Sequence, residues 1–429
     1  MAAKIRFPER SQVQMRAESL DQLLPPEHPA RGVWEFVLTL DLTPWTNRIQ
    51  SRAGQSGAPA LDPRVLASLW LLATLDGVGS ARRVARLCEE HIAYRWLCGD
   101  EPINHHSLSD FRVSNPTELE ALLAQSAAAL MHAGVADLSR VAQDGVRVRA
   151  SAGASSFRRG ATLKQCLAEA EAQVRALKGD GDDDEKGDGE GERRSRSEAA
   201  KDRAARGRKE RIEAALAALE ELKVRNAERE KGRRKAESEL RASTTDPDAR
   251  KMKMADGGFR PALNVQFATT VKGGVIVGVD VSNRGTDAAE LEPMLKKLEA
   301  TYGGRPGTAL VDGGYANVES IDAAESKGTR VLAPVPRAEE EAAKGKDPHA
   351  RRKGDTDCVA DWRTRMATEE AKAEYKDRAS TAEWANAQAR NRGMRQFLVR
   401  GLAKAKSVCL WFALAHNLAR KPGFKMAAG

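Results

Sequence analysis

Three carboxylates stand where a charge is costly or is set up to meet a ligand. Asp144 interrupts the Val-rich alternation of AQDGVRVRA, and Asp is a poor strand residue, so its presence there needs a reason. A hairpin turn at Asp144 and Gly145 is one such reason, yet the apolar alternation runs straight through the pair. Asp312 ends the short apolar run Ala309, Leu310 and Val311 and is followed by Gly313 and Gly314. That is the C-terminal tip of a buried strand, where open α/β sheets present their ligands. Glu383 lies in YKDRASTAEWANAQAR, residues 375–390, a stretch without Gly or Pro that predicts a helix. On that helix Glu383 shares a face with Asn386, Ala387 and Arg390, and Tyr375 and Arg378 lie just upstream. Taken alone, this face reads as the solvated side of an amphipathic helix. It acquires chemistry only if the two aspartates join it.

Other candidate groups are weaker. Asp287 and Glu290 fit a capping box at the start of TDAAELEPMLKKLEATYG, so Asp287 reads as a cap rather than a catalytic acid. His105 and His106 lack further ligands at zinc spacing. Asp180, Asp182 and Asp184 lack the Gly and closing Glu of a calcium loop. His416, in the apolar CLWFALAHNLARK, reads as a packed or capped histidine.

The elements that must position the acids follow from changes of period. Asp137 to Gly153 reads as a strand, and ALNVQFATTV (262–271) and GGVIVGVDVS (273–282) read as an antiparallel pair joined through Lys272, Gly273 and Gly274. A helix, the strand ending at Asp312, a helix after Asn317 and a strand around 329–336 complete an α/β alternation with a mixed sheet. Residues 337–360 read as a polar exposed loop. Residues 161–242 interrupt the sheet with two helices rich in Ala, Glu, Lys and Arg, an antiparallel hairpin by their pairing. Its tip, residues 179–192, is acidic, Gly-rich and expected to be flexible.

Ahead of the sheet, residues 1–137 read as all helical. Asp62 and Pro63 open a core helix that runs to Gly77, Ser80 caps a helix carrying Val84, Leu87, Ile92 and Trp96 on its apolar face, and Asn115 and Pro116 open a longer one. Arg82, Arg83, Arg86 and Arg95 are left over, which suits either a helix-turn-helix type of DNA-docking module or a bundle with an ordinary basic surface.

The chain has 429 residues, enough for two or three domains, and its net charge of +9 suggests a polyanionic partner. Arg390, Arg392, Arg395, Arg400, Lys404 and Lys406 follow one another without an intervening acid, a candidate phosphate-binding stripe or a solvated face. Five scattered cysteines without a CxxC pair argue against a zinc module or disulfide framework. No apolar run approaches a membrane span and the N-terminus lacks an apolar signal core, so a cytoplasmic protein is expected.

GAPALDPRVLASLWLLATLDGVGSARRVARLC, HHSLSDFR, AQDGVRVRASA, TDPDARKM, ALNVQFA, VDGGYANVESI and FLVRGLAKAKSVCLWFALAHNLAR resemble bacterial insertion-sequence DDE transposases, closest to insertion-sequence family 1182. The likeness extends over nearly the whole chain. It implies an RNase H-like catalytic core with a helical N-terminal domain (1–137) for DNA binding or dimerisation. The core would begin at 138–160, break for a helical-hairpin insertion at 161–258, and resume at 259–429. The family's first Asp lies in an Asp-Gly strand and matches Asp144; its second lies in an Asp-x-Gly-Tyr string and matches Asp312, Gly314 and Tyr315. Its Glu, on a helix with an upstream Tyr and Arg, matches Glu383 with Tyr375 and Arg378. Three departures stand out: Arg390 where related enzymes usually have Lys, four residues rather than three between Arg378 and Glu383, and Trp384 directly after the Glu.

The resemblance implies two Mg2+ ions, with Mn2+ able to substitute, held by Asp144, Asp312 and Glu383. They would serve hydrolysis at transposon ends and attack of the freed 3′-hydroxyl on target DNA. Arg378 and Arg390 would contact phosphates, and Tyr375, Arg392, Arg395, Arg400 and Lys404 would add to the DNA-binding set. The implied partners are double-stranded DNA, as terminal inverted repeats and target, and further copies of the chain in a homodimer or larger homo-oligomer, with no membrane. The implied setting is the bacterial cytoplasm at the nucleoid. An inactivated DNA-binding copy and an RNase H-like nuclease without strand transfer are the alternatives.

Overall fold

A computed structural model describes residues 10, 11, 13, 15, 17–51, 59–179, 188–229 and 234–425, without side chains for 178–179 and 188–196. Residues 180–187 of the acidic tip, with Asp180, Asp182 and Asp184, and the first nine residues lie outside the described residues, whereas 179 and 188–192, expected in the flexible tip, belong to helices.

Among the described residues eight strands form: β1 (Arg140–Arg149), β2 (Phe157–Arg158), β3 (Ala242–Ser243), β4 (Arg250–Lys253), β5 (Phe259–Thr270), β6 (Ile276–Ser282), β7 (Thr308–Leu310) and β8 (Arg330–Leu332). In the main sheet β1 runs antiparallel to β5 on one edge and parallel to β7 on the other, and β8 continues parallel beyond β7. β4 and β6 divide the far edge of β5 between them, both antiparallel. The expected β5–β6 hairpin and the strand through Asp144 are therefore present. Asp144 lies opposite Phe267 in the β1–β5 register, so Asp144–Gly145 is not a turn. This mixed order, flanked by helices, is compatible with an RNase H-like core preceded by a helical region.

Helix Leu402–Leu418 is buried along most of its length and sits at the centre of the largest apolar cluster. One side meets β5 and β6, where Phe412 lies 5.4 Å from Phe267 and Asn417 pairs with both backbone groups of Ile276 at 2.8 Å. The other side meets the N-terminal helices, and Trp411 donates to the carbonyl of Arg112. His416 is packed as expected: its Nε2 bonds the carbonyl of Gly274, and burial pushes its pKa down to about 3. The TDPD string, to which the residues alone assigned no role, caps this helix. Asp246 accepts from the Gly401 amide and Asp248 from the Leu402 amide, satisfying donors that a helix start leaves without partners.

Several expectations are corrected. The helix expected from Ser80 breaks at His91, whose extended backbone (φ −118, ψ 124) starts a new helix, Ile92–Cys98, that His91 itself caps. Arg83 and Arg86 pair with Glu90, and Arg95 with Asp100. Asp287 and Glu290 form no capping box: helix Leu291–Tyr302 has no side-chain cap bond, and Asp287 instead accepts from Asn264 and Gln266. Those two amides stand side by side on β5, a pairing that local sequence does not reveal. Residues 337–360 carry helix Ala338–Ala343, the start of helix Asp357–Ala367, and Asp355 in a buried ion pair with Arg363, rather than a plain exposed loop. The insertion does form two helices in contact, Gly160–Gly179 and Asp188–Ala227, but the second ends at Ala227, before the expected 242.

Candidate active site

Each of the three acids is delivered by a different element. Asp144 points from the middle of β1, 14% exposed at its side chain. Asp312 follows β7, and its Oδ1 accepts from the Gly314 amide at 2.7 Å, a tight turn in which a Cβ on residue 314 would lie 2.9 Å from that oxygen. Glu383 closes a π-helical turn, Ala379–Glu383, that leads into helix Trp384–Asn391. This segment is pinned to the sheet by Arg140–Asp377 and Arg330–Glu374 ion pairs.

All three acids face one guanidinium. Arg378 Nη1 donates to Glu383 Oε1 at 2.7 Å, and its Nη2 lies 3.7 Å from Asp144 Oδ1 and 3.8 Å from Asp312 Oδ2. The π turn explains how. On an α-helix, residues five apart point about 140° away from each other. A turn bonded i to i+5 brings them back to one face, so the extra residue between Arg378 and Glu383 is absorbed. Trp384 packs beneath, its ring 5.1 Å from that of His416 and covered by Arg420 at 3.8 Å, which accounts for an aromatic next to the acid.

The electrostatics are those of a site short of positive charge. Burial pushes Asp144 up to about 6; Arg378 opposes the rise and the charge of Asp312 adds to it. Asn386, on the face shared with Glu383, donates to Asp144 Oδ2 at 2.9 Å. Burial works against the charge on Arg378, but Asp144, Asp312 and Glu383 together raise its pKa. Burial likewise raises Tyr375, which is half-buried against the core beside Asp312. Among the described residues no three carboxylate, thiol or imidazole side chains stand close enough to share a metal ion. The three acids are spread around Arg378 instead.

Below Asp144, on the opposite face of the sheet, lies a polar layer that local spacing did not indicate. Gly145 is required there, since a Cβ would meet Asp287 Oδ1 at 2.4 Å and Gln266 Nε2 at 2.6 Å. Gln266 accepts from Gln143 and from the Tyr315 hydroxyl, so the Asp144–Gly145 and Asp312–Tyr315 strings are joined through one side chain. The only sequence sign of this layer was the glycine next to a strand aspartate.

The basic stretch is split. Arg390, Arg395, Arg400 and Lys404 are exposed, and the backbone of Arg395 and Phe397 bonds Arg149 at the end of β1. Arg392 does not belong to an exposed stripe: burial, with Arg420 close by, pushes its pKa down. Lys406 is taken up by Glu120 at 2.7 Å and Asp280 at 3.8 Å. Arg378 is turned towards the acids and is 11% exposed at its side chain.

Two sequence families match the chain: Transposase domain (DUF772) over residues 18–114, and Transposase DDE domain over residues 341–421, which takes in Tyr375, Arg378 and Glu383. No curated protein and no solved structure gave a match. Among the described residues no helix is long and apolar enough to cross a membrane. The two matches fit insertion-sequence family 1182 without singling it out, and together they support this chain as an insertion-sequence DDE transposase.

Proposed function

We propose that the chain cuts DNA at transposon ends and joins the freed 3′-hydroxyl to target DNA, with Asp144, Asp312 and Glu383 as the metal-binding acids. The observation that carries this reading is the meeting of three carboxylates, from segments more than 200 residues apart at the extremes, around a single guanidinium. One positive charge among three negative ones leaves a deficit that divalent cations would fill. The donor set is hard oxygen throughout, half of it open to solvent, which suits Mg2+ with Mn2+ as a substitute.

In this reading Asp144, Asp312 and Glu383 would hold the ions. When bound, such ions stabilise charge on the scissile phosphate and polarise the attacking oxygen. The chain's own groups do the rest. Asn386 holds the Asp144 carboxylate in orientation. The turn at Gly314 fixes Asp312. Arg378 keeps the acids together in the resting state and turns to a DNA phosphate when its place is taken, as guanidinium forks suit phosphate oxygens. Exposed Arg390, Arg395, Arg400 and Lys404 extend that contact along double-stranded DNA.

A strand-transfer assay with terminal inverted repeats, target plasmid and Mg2+ tests the reading. Cleavage and joining, both lost in Asp144→Asn, are expected. Cleavage without joining would indicate a nuclease, and DNA binding without either would indicate an inactive DNA-binding copy.

A further inference from the structure

A second site lies on the insertion side of the sheet. An open groove of about 1230 Å³ runs between the last turns of helix Asp188–Ala227, the β2–β3 ribbon and edge strand β4. Nine Lys or Arg and three Glu line it, so its walls carry a strong excess of positive charge. Arg159, Arg241, Lys253 and Arg284 are exposed there and form no ion pair among the described residues, and Lys251 rests only over the Phe157 ring at 5.6 Å. Surface cations are ordinarily matched by nearby acids, as they are elsewhere on this insertion, where Arg206, Lys209 and Lys223 each meet a carboxylate. Here they are left for an external anion.

The groove also carries Phe259, 70% exposed at the start of β5, with Val224 opposite at 61%. An aromatic ring left in water among unpaired cations is a stacking platform beside a phosphate track. A duplex keeps its base faces inside its own stack and has none to offer such a ring. A single strand has both.

The groove and the carboxylate centre share strand β1. Arg147, three residues beyond Asp144 on β1, donates to the carbonyls of Lys253 and Gly285, which both line the groove, at 3.1 and 3.0 Å. Three strand residues span about 10 Å. The odd spacing puts Arg147, beside Asp287, on the face of the sheet opposite Asp144, so the groove and the acids use the two faces of one strand.

We propose that this groove binds a single-stranded segment of DNA, with phosphates on Lys253, Arg284, Arg241 and Arg159 and an unstacked base on Phe259. The identity of the nucleic acid as DNA rests on the transposase reading; the preference for an unpaired strand rests on the groove alone. Fluorescence anisotropy of the full-length protein with a labelled oligonucleotide, single-stranded and as its duplex, in EDTA, removes the metal chemistry from the measurement.

The wild type is expected to bind the single strand more tightly than the duplex in moderate salt. Phe259→Ala should weaken single-strand binding at least about fivefold while leaving duplex binding unchanged, as expected for loss of one stacked base. Lys253→Ala with Arg284→Ala should lower the slope of log K against log salt by about 1.4. All three residues are exposed, and thermal melting of the variants checks that they fold. Unchanged single-strand binding in both variants, or equal losses for single strand and duplex in Phe259→Ala, overturns the proposal. Failure of Asp144→Asn to abolish cleavage would instead sink the catalytic assignment and leave the groove standing.

Discussion

Two acidic sites in this molecule look alike by charge and burial and differ in what surrounds them. At the TDPD cap, Asp246 is buried and its pKa is raised by burial and by Asp248; at the carboxylate centre, burial and the charge of Asp312 raise Asp144 against the pull of Arg378. A perturbed carboxylate is therefore no guide here to which site does chemistry. Hydrogen-bond partners are. Asp246 and Asp248 spend their oxygens on amides at the start of helix Leu402–Leu418, donors fixed in the backbone. Asp144 and Asp312 also accept from the neighbouring Gly145 and Gly314 amides, but together with Glu383 they surround the tip of one long, rotatable side chain. The first set holds a helix start; in the proposed reading the second exchanges its cation.

Breaking that contrast gives predictions of decreasing size. Asp144→Asn should lower metal-dependent DNA cleavage by about 1000-fold, since several kcal/mol of charge stabilisation are at stake. Its unfolding midpoint should not fall, because a buried and disfavoured charge is being removed. A drop in stability with cleavage intact would make Asp144 structural. The double change Asp246→Ala with Asp248→Ala should do the reverse, costing about 2 kcal/mol in urea unfolding by stripping the helix cap. Its metal affinity by calorimetry should match the wild type, and a large change there would erase the distinction between the sites.

Arg378→Gln should tighten Mn2+ binding about tenfold in the absence of DNA, because a competing unit charge about 4 Å from two acids is gone. Weaker binding would show that Arg378 organises the acids rather than standing in for a cation. The smallest effect concerns pH. Asp144 moves from 3.8 to about 6 on folding, so in that window the folded chain holds a proton that the unfolded chain has released. The group therefore favours the metal-free fold at the acid end, and that contribution is lost as pH rises through about 6. Metal affinity should accordingly fall as pH drops below about 6, and the step should be absent in Asp144→Asn; a step that survives the substitution belongs to another group.

Much of what marks the candidate site is local in the residues. A strand aspartate that breaks a favourable alternation, an aspartate at an apolar strand's tip before two glycines, and a glutamate on a helix with an upstream Tyr and Arg each left a local mark. The caps at Asp62 and Ser80 were legible for the same reason: they act within three residues of themselves. Asp287 was misread because a capping box and an aspartate held by two strand amides look identical over four residues. Arg392 was misread because charge in a run says nothing of which side faces the core.

By itself, then, the amino-acid order determined what depends on near neighbours: strand and helix periods, most caps, the candidate acids, and the single extra residue between Arg378 and Glu383. Tertiary structure alone decided that a π turn absorbs that residue, that one guanidinium gathers acids from β1, the end of β7 and a late helix, and that TDPD caps a helix some 150 residues away. The physical reason is range. Backbone propensities act over a few residues, whereas long charged side chains and helix ends find partners wherever packing brings them, and that is set by the whole core at once.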